Sequence, residues 1–480
     1  MNKKVKYLDK YKMLPNTVKA TLWFTVCSFF QKGIQFITVP LFTRLLTVEQ
    51  YGQFSIYQTW LSLLIIVGTF NLSNDVSING LNRFETDKNK FISSMQGLSS
   101  LITFLIFILY FFNVTYWNNL IKLPQIIIVV MLFEVFFTPS FQLWSIKQKF
   151  EYKYKILLLI TIFISIINPI ISYIAIVNST DRGSTRILVC SIINICLGFT
   201  FYIYNFVNGK HHYDKKYWKF AFFFVLPLIP HYLSGVILNQ SDRLMIQYFS
   251  GTSDVAIYSL AYSVGMIINI FTSSINSSFV PWTYQTYKNR DFRKIKKISL
   301  QLTILVAIIT FIPVVLAPEV ISLMGSASYK NAAWIVPPIA IAAYFNFVYS
   351  LFSNIEFYYA NGKYAMLASC VSAVINIVLN MLFIPVFGFV AAAYTTLICF
   401  IALTFFHYYS MRLIMKRNGT NNEVYNTGAV AICSIILVLL SVACVVLYRY
   451  AVIRYLIVLI ALFILLVKKD KVINLILSFK

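Results

Sequence analysis

The chain has 480 residues, of which 59% are hydrophobic and only 12% charged. Soluble domains carry roughly 25% charged residues, so this composition excludes an ordinary soluble enzyme. A formal net charge of +24 would suggest nucleic acid in a soluble chain, but no basic face stands free of apolar sequence, and a nucleic-acid partner is excluded.

The apolar stretches run long and unbroken instead of alternating at period two, which excludes an outer-membrane barrel. They predict an all-α polytopic membrane protein. In chain order, spans are expected near residues 16–43, 51–72, 91–112, 123–144, 156–177, 187–207 and 220–241. They continue near 255–282, 298–317, 332–355, 365–384, 387–410, 425–447 and 451–467, which makes fourteen. With the Lys-rich amino terminus on the cytoplasmic side, and with Lys19 and Arg454 at span ends counted with the segments they border, the cytoplasmic segments hold 31 Lys and Arg and the opposite side holds 8, with Lys32 inside a span. A miscounted early span would scramble that split, so it supports an even count and two cytoplasmic termini.

The segments between spans are too short for a soluble catalytic or binding domain, so function has to lie within the membrane. Transport is the default, and no catalytic residues or enzymatic activity are expected. The seven cysteines (Cys27, Cys190, Cys196, Cys370, Cys399, Cys433 and Cys444) lie in apolar stretches with no Cys-x-x-Cys and no His at zinc spacing. They read as packing residues, and no metal site is expected. No G-x-x-x-x-G-K-[ST] motif occurs, so neither ATP in a P-loop nor any other cofactor is expected.

An internal repeat is visible. Thr43-Arg44-Leu45-Leu46 closes span 1, and Asp242-Arg243-Leu244-Met245 closes span 7 on the same side, 199 residues later. Phe54-Ser55 and Tyr258-Ser259 open the spans that follow. Lys155 and Asn168 in span 5 are echoed by Lys363 and Asn376 in span 11, an offset of 208. Both echoes predict two parallel six-span lobes: an N-lobe over 1–210, a C-lobe over 211–417, and an appended segment 418–480 with spans 13 and 14 and a cytoplasmic tail. A binding site near the bilayer midplane between such lobes is the geometric expectation. His211 and His212 fall in the basic stretch 208–219, which reads as a solvated linker.

Several polar groups should not face lipid. In span 1, Thr21, Thr25, Ser28, Lys32 and Gln35 fall at steps of four, three, four and three, on one helical stripe. A Lys near the bilayer centre costs at least ~2.5 kcal/mol, so the stripe is expected to line a substrate cavity. The competing reading is helix packing by small polar residues, with Lys32 snorkelling. The offset of 199 carries Lys32 onto His231, just after Pro227 and Pro230, which are expected to kink or loosen span 7. His231 is either a second cationic cavity group or a neutral packed imidazole. Glu134 is the one carboxylate expected near the centre of a span, either as an ion-coupling site or as a structural partner of Lys32. In span 8, Asn269 and Asn276 share one side with Tyr262, Thr272 and Ser273, as further cavity lining or as interhelical glue.

Residues Leu41-Phe42-Thr43-Arg44-Leu45-Leu46-Thr47-Val48-Glu49-Gln50-Tyr51-Gly52 resemble the end of the first span in the Wzx-type polysaccharide flippases of the MOP (MATE-like) exporter superfamily. The stretch from Ser241-Asp242-Arg243 through Gly251, Ala256, Ile257, Tyr258 and Ser259 is similar to that family too. So is Phe387-Gly388-Phe389-Val390-Ala391-Ala392-Ala393-Tyr394-Thr395-Thr396, where the family pattern has Gly at the place of Ala391. The resemblance covers roughly residues 14 to 417 and fades in the last two spans.

The resemblance implies a V-shaped cavity between two six-helix lobes and alternating access. Its substrate would be an undecaprenyl-pyrophosphate-linked oligosaccharide, moved from the inner to the outer leaflet of the bacterial cytoplasmic membrane. Membrane lipids and other polysaccharide-assembly proteins are the implied partners, with H+ or Na+ as the coupling ion. Arg44, Asp242 and Arg243 would then be structural, fixing span ends at the outer surface. A MATE-type drug or cation antiporter shares the fold but would favour acidic cavity groups, and a lipid II flippase stands close. A membrane-embedded polymerase or acyltransferase would need a large outer loop or a cluster of His, Asp or Arg, and neither is visible.

Overall fold

The computed structural model describes residues 15–359, 362–420 and 423–467; the Lys-rich amino terminus and the tail after the last span lie outside the described residues. It is built of helices, as the unbroken apolar runs require. The chain folds as two compact units, Met1–Leu233 and Ser234–Lys480.

The first unit contains α1 (Asn16–Leu45), α2 (Val48–Thr69), α3 (Lys88–Phe112), α4 (Gln125–Phe150), α5 (Tyr154–Val177) and α6 (Arg182–Gly209). The division between the units falls inside α7 (Lys215–Phe249), so His231 groups with the first unit. The second unit continues with α8 (Thr252–Lys288), α9 (Phe292–Val315), α10 (Val336–Tyr358), α11 (Gly362–Phe387) and α12 (Phe389–Arg417). The appended helices α13 (Thr427–Val446) and α14 (Ala451–Val467) end it. Eleven helices among the described residues are long and apolar enough to cross a membrane. With α1, α2 and α14 they meet the fourteen expected spans one for one.

Helix starts follow local chemistry. Thr47 and Gln50 form a reciprocal capping box at the head of α2, with Thr47 Oγ1 accepting from the Gln50 N–H at 3.2 Å. Asp181 caps α6 by accepting the Ser184 N–H at 3.2 Å. That cap starts the helix at Arg182, five residues before the expected span, so Arg186 is part of α6 and not of an outer loop. Within α7, Leu226–Leu228 forms a 3-10 turn where Pro227 and Pro230 lack the N–H groups that a regular helix needs.

In the first unit, the rings of Phe84, Phe91 and Tyr217 meet at centroid distances of 4.8 to 5.5 Å and tie the start of α7 to α3. Helices α4 and α6 approach so closely at Gly198 that a Cβ there would lie 2.5 Å from the Phe137 carbonyl oxygen. In the second unit α10 is the central element. Every residue from Val336 to Phe345 is buried, and Ala340, Ala342 and Ala343 let neighbouring helices close on it. Helix α13 is held to α10 by Tyr344 and Ser434, 2.9 Å apart. Helix α14 is held by Arg454, which donates to the Val315 carbonyl at 3.1 Å and to Glu319 at 2.5 Å. Outward faces are apolar, as on α5 at Leu159, Phe163 and Ile174 and on α13 at Ile435, Leu439 and Val442. A soluble protein would not present such faces to water.

Candidate functional site

The second unit encloses a carboxylate. Asp242 on α7 is fully buried, and its two oxygens accept four side-chain hydrogen bonds from three other helices. Oδ1 accepts from Asn380 at 2.7 Å and Asn376 at 3.3 Å; Oδ2 accepts from the Tyr258 hydroxyl at 2.5 Å and Thr396 at 2.6 Å. Asn376 and Asn380 stand one turn apart on α11 and so present both amides to the same place. Thr395 in turn bonds the Asn380 amide oxygen, and Ser241 bonds that of Asn376 at 3.0 Å. The neighbouring Arg243 is engaged elsewhere. It donates to Ser259, Gln240 and the Asn239 carbonyl, with its guanidinium 4.4 Å from the Tyr262 ring centroid. Among the described residues Asp242 forms no ion pair. Neutral donors satisfy its hydrogen bonds but leave its charge uncompensated in an apolar slab.

Thr396 also lines a small cavity of about 20 Å³ with Asn239, Tyr262, Asn269 and Asn346. That is room for about one water, with enough polar groups to hold it. Asn269, expected from sequence as a lining residue, is therefore at a small cavity of mixed polar and apolar lining beside the Asp242 cage. Asn276 bonds Ser350 at 3.0 Å, which joins α8 to α10.

The first unit also encloses a carboxylate. Glu134 on α4 is buried and accepts from the Tyr57 hydroxyl at 2.5 Å and the Asn194 amide at 2.8 Å. Tyr57 is also 2.6 Å from Ser191 Oγ, so α2, α4 and α6 meet around this group. Among the described residues no ion pair joins Glu134 to Lys32. On α1, Ser28 and Gln35 are exposed and Lys32 is half-buried, with Thr25 exposed on the same stripe; the Thr21 side chain lies outside the described residues. Arg44 is exposed and His231 half-buried, its ring 6.1 Å from that of Tyr232.

Besides Glu134, Asp242 and Glu356 are fully buried carboxylates, each closer to the end of its helix than Glu134 is. Asp242 sits well inside a helix that runs on to Phe249, whereas the charged pair Asp242-Arg243 reads in sequence as a span end. The cage residues Asn376, Asn380, Thr395 and Thr396 escaped notice as a group, and so did Tyr57, Ser191 and Asn194 around Glu134. Their signal was an amide pair one turn apart and a Thr-Thr pair in otherwise apolar spans.

The sequence profile of the polysaccharide biosynthesis protein family matches residues 17–287, and that of the MatE family matches 227–382. An Lsg-locus protein of Haemophilus influenzae is 22% identical over 357 residues, covering 72% of this chain and 86% of the relative. The capsular polysaccharide biosynthesis protein CapF of Staphylococcus aureus is 22% identical over 392 residues, covering 79% of this chain and 95% of the relative. Among solved structures, the lipid II flippase MurJ in an inward closed conformation has a TM-score of 0.73 at 16% identity, covering 94% of this chain and all of that one. That likeness establishes the fold. With its family profile extending over more than half of its length, the chain is a multi-pass membrane protein that belongs to the polysaccharide biosynthesis protein family.

Proposed function

We propose that this protein is a flippase that moves an undecaprenyl-pyrophosphate-linked oligosaccharide from the inner to the outer leaflet of the bacterial cytoplasmic membrane by alternating access, with both termini cytoplasmic. The observation that carries the reading is the family match, on a chain whose described residues are almost all in or between membrane-length helices. Among the described residues little chain stands outside these helices, which supports a function within the bilayer. The excess of basic residues in the segments on the amino-terminal side supports the orientation.

A pyrophosphate head group needs positive partners. Lys32, half-buried on the polar stripe of α1 with Ser28 and Gln35, is the first of them, and His231 when protonated is the second. The glycan needs hydrogen-bonding walls, to which Asn269 and Asn276 contribute, while the polyprenyl tail can stay in lipid. Arg44 and Arg243 keep a structural role.

Transport is coupled to an ion gradient at the buried carboxylates, Glu134 in the first unit and Asp242 in the second. Each is held by neutral donors alone, so arrival of H+ or Na+ would neutralise a charge the fold leaves bare. Each ion that descends 100 mV supplies about 2.3 kcal/mol. The carboxylate and the hydroxyl oxygens of Tyr258 and Thr396 beside it suit a hard cation as well as a proton.

In a deletion strain, surface polysaccharide is expected to vanish while lipid-linked repeat units accumulate on the inner leaflet. Normal surface glycan without accumulation contradicts the proposal. Lipid II is the second reading of the substrate, favoured by the shared fold, and rescue of a strain lacking its lipid II flippase would select it.

A further inference from the structure

The two units build one constellation with opposite charge. The offset of 199 residues that relates Arg44 to Arg243 sets Phe42 and Thr43 against Ser241 and Asp242. The offset of 208 that relates Asn168 to Asn376 also sets Ser172 against Asn380, again one turn further along. Phe54 stands to Ser55 as Tyr258 stands to Ser259. In the second unit three of these later members, Tyr258, Asn376 and Asn380, donate to the Asp242 carboxylate.

In the first unit their counterparts surround a guanidinium. Arg186 Nη1 donates to Asn168 Oδ1 at 3.1 Å and to Ser172 Oγ at 2.5 Å. Its Cζ lies 3.9 Å from the Phe42 ring centroid and 4.8 Å from that of Phe54. Arg186 is 8% exposed and, among the described residues, forms no ion pair. The place of the carboxylate is taken by Thr43, which carries no charge. Arg186 itself comes from α6 at the offset of 208 from Tyr394, next to the Thr395 and Thr396 of α12 that close the Asp242 cage. Three matched positions, on α2 and α5 against α8 and α11, thus touch a fixed cation in one unit and a bare anion in the other, while Phe42 of α1 has as its counterpart Ser241, which bonds Asn376.

We infer that Arg186 is a tethered cation that permanently fills, in the first unit, the place a mobile cation takes beside Asp242 in the second. The inference rests on the reading of Asp242 as an ion-binding carboxylate. A guanidinium cannot shed its proton in a protein, so its charge cannot leave as an ion would. Two aromatic faces and two neutral oxygens hold it without an anion. The carboxylate of the same unit, Glu134, is held by Asn194, about 12 Å further along α6. Helices α1, α5 and α6 are therefore locked around a built-in charge, and at this pair of positions only α7, α11 and α12 answer to the ion gradient.

The test uses the purified full-length protein in detergent, with cation binding and thermal unfolding as readouts. Arg186→Ala is expected to lower the melting temperature, and millimolar guanidinium, but not urea, to restore it by refilling the vacated place. Thr43→Asp combined with Arg186→Ser rebuilds the second unit's charge pattern in the first and is expected to bind one more cation per chain than the wild type. If Arg186→Ala is recovered too poorly to melt, Arg186→Lys is expected to keep flipping, and Arg186→Met, of similar volume without charge, to lose it. No restoration by guanidinium and no additional cation in the double variant overturn the inference, as does flipping by Arg186→Met at the wild-type rate. Asp242→Asn serves as the separate arm. If it binds cations like the wild type, the ion-binding reading of Asp242 has failed and the inference falls with it; if it loses them while both Arg186 arms are negative, only the inference has failed.

Discussion

His407 Nδ1 on α12 lies 3.1 Å from both carboxylate oxygens of Glu356 on α10, with both side chains buried and the Tyr349 ring stacked on the imidazole at 5.1 Å. The pair ties the central helix of the second unit to its neighbour at a point where neither group can reach water. Breaking one side of such a pair leaves a buried polar group alone, at a cost of about 3–5 kcal/mol, while removing both is milder. Glu356→Ala is therefore expected to lower the melting temperature in detergent more than Glu356→Ala with His407→Ala, and a double-mutant cycle measures the difference. Equal, additive losses would show that the two side chains do not support one another.

Gradient coupling places two carboxylates at risk. Glu134→Gln and Asp242→Asn keep the shape and most hydrogen bonds of each site but remove the charge. Each is expected to bind substrate and to lose the acceleration that an imposed proton or sodium gradient gives, measured as flipping in vesicles. A variant that responds as wild type does identifies its carboxylate as structural.

Lys32 is read as the pyrophosphate partner on α1. Lys32→Ala is expected to abolish flipping at unchanged membrane abundance, and Lys32→Arg to keep part of it, since both cations can hold phosphate. Wild-type flipping by Lys32→Ala would return the stripe of Ser28, Lys32 and Gln35 to ordinary packing.

Glu319 anchors α14 from outside the spans. Burial raises its carboxyl pKa, but hydrogen bonds from Arg454 and Tyr455 outweigh burial and hold it below the ordinary value of 4.5. A carboxylate depressed on folding contributes stability that is fully present above that ordinary value and is lost as pH falls through its folded value. The stability difference between wild type and Glu319→Gln is accordingly expected to be constant near neutrality and to shrink below about pH 4.5. Melting curves of the two across that range check it, and parallel curves down to acid pH would remove Glu319 from the anchor.

The spans were legible because a helix in lipid must satisfy its backbone internally, which writes each crossing as a long apolar run. The charge pattern then gives them an expected orientation. The site was legible only in part. Glu134 and Lys32 stand out because a lone charge in an apolar run is costly wherever the chain goes next. Asp242 was hidden because Arg243 beside it makes the pair look like a boundary, and only packing shows that the helix continues to Phe249. Asn376, Asn380 and Thr396 are unremarkable one at a time; they acquire meaning when three helices bring them to one carboxylate across more than a hundred residues of sequence. Arg186 falls just before the span expected near 187–207, because nothing in its own stretch shows that Asp181 starts the helix early.

Translocation of a lipid-linked oligosaccharide is measured as flipping by the purified protein in vesicles. Polyprenyl-pyrophosphate-linked repeat units are placed in both leaflets, and the fraction open to a membrane-impermeant glycan-oxidising reagent is followed with time. With an imposed ion gradient, wild-type vesicles are expected to approach complete accessibility while protein-free vesicles stay near half. Equal accessibility in the two, with correctly folded protein confirmed by its melting transition, would contradict the assignment.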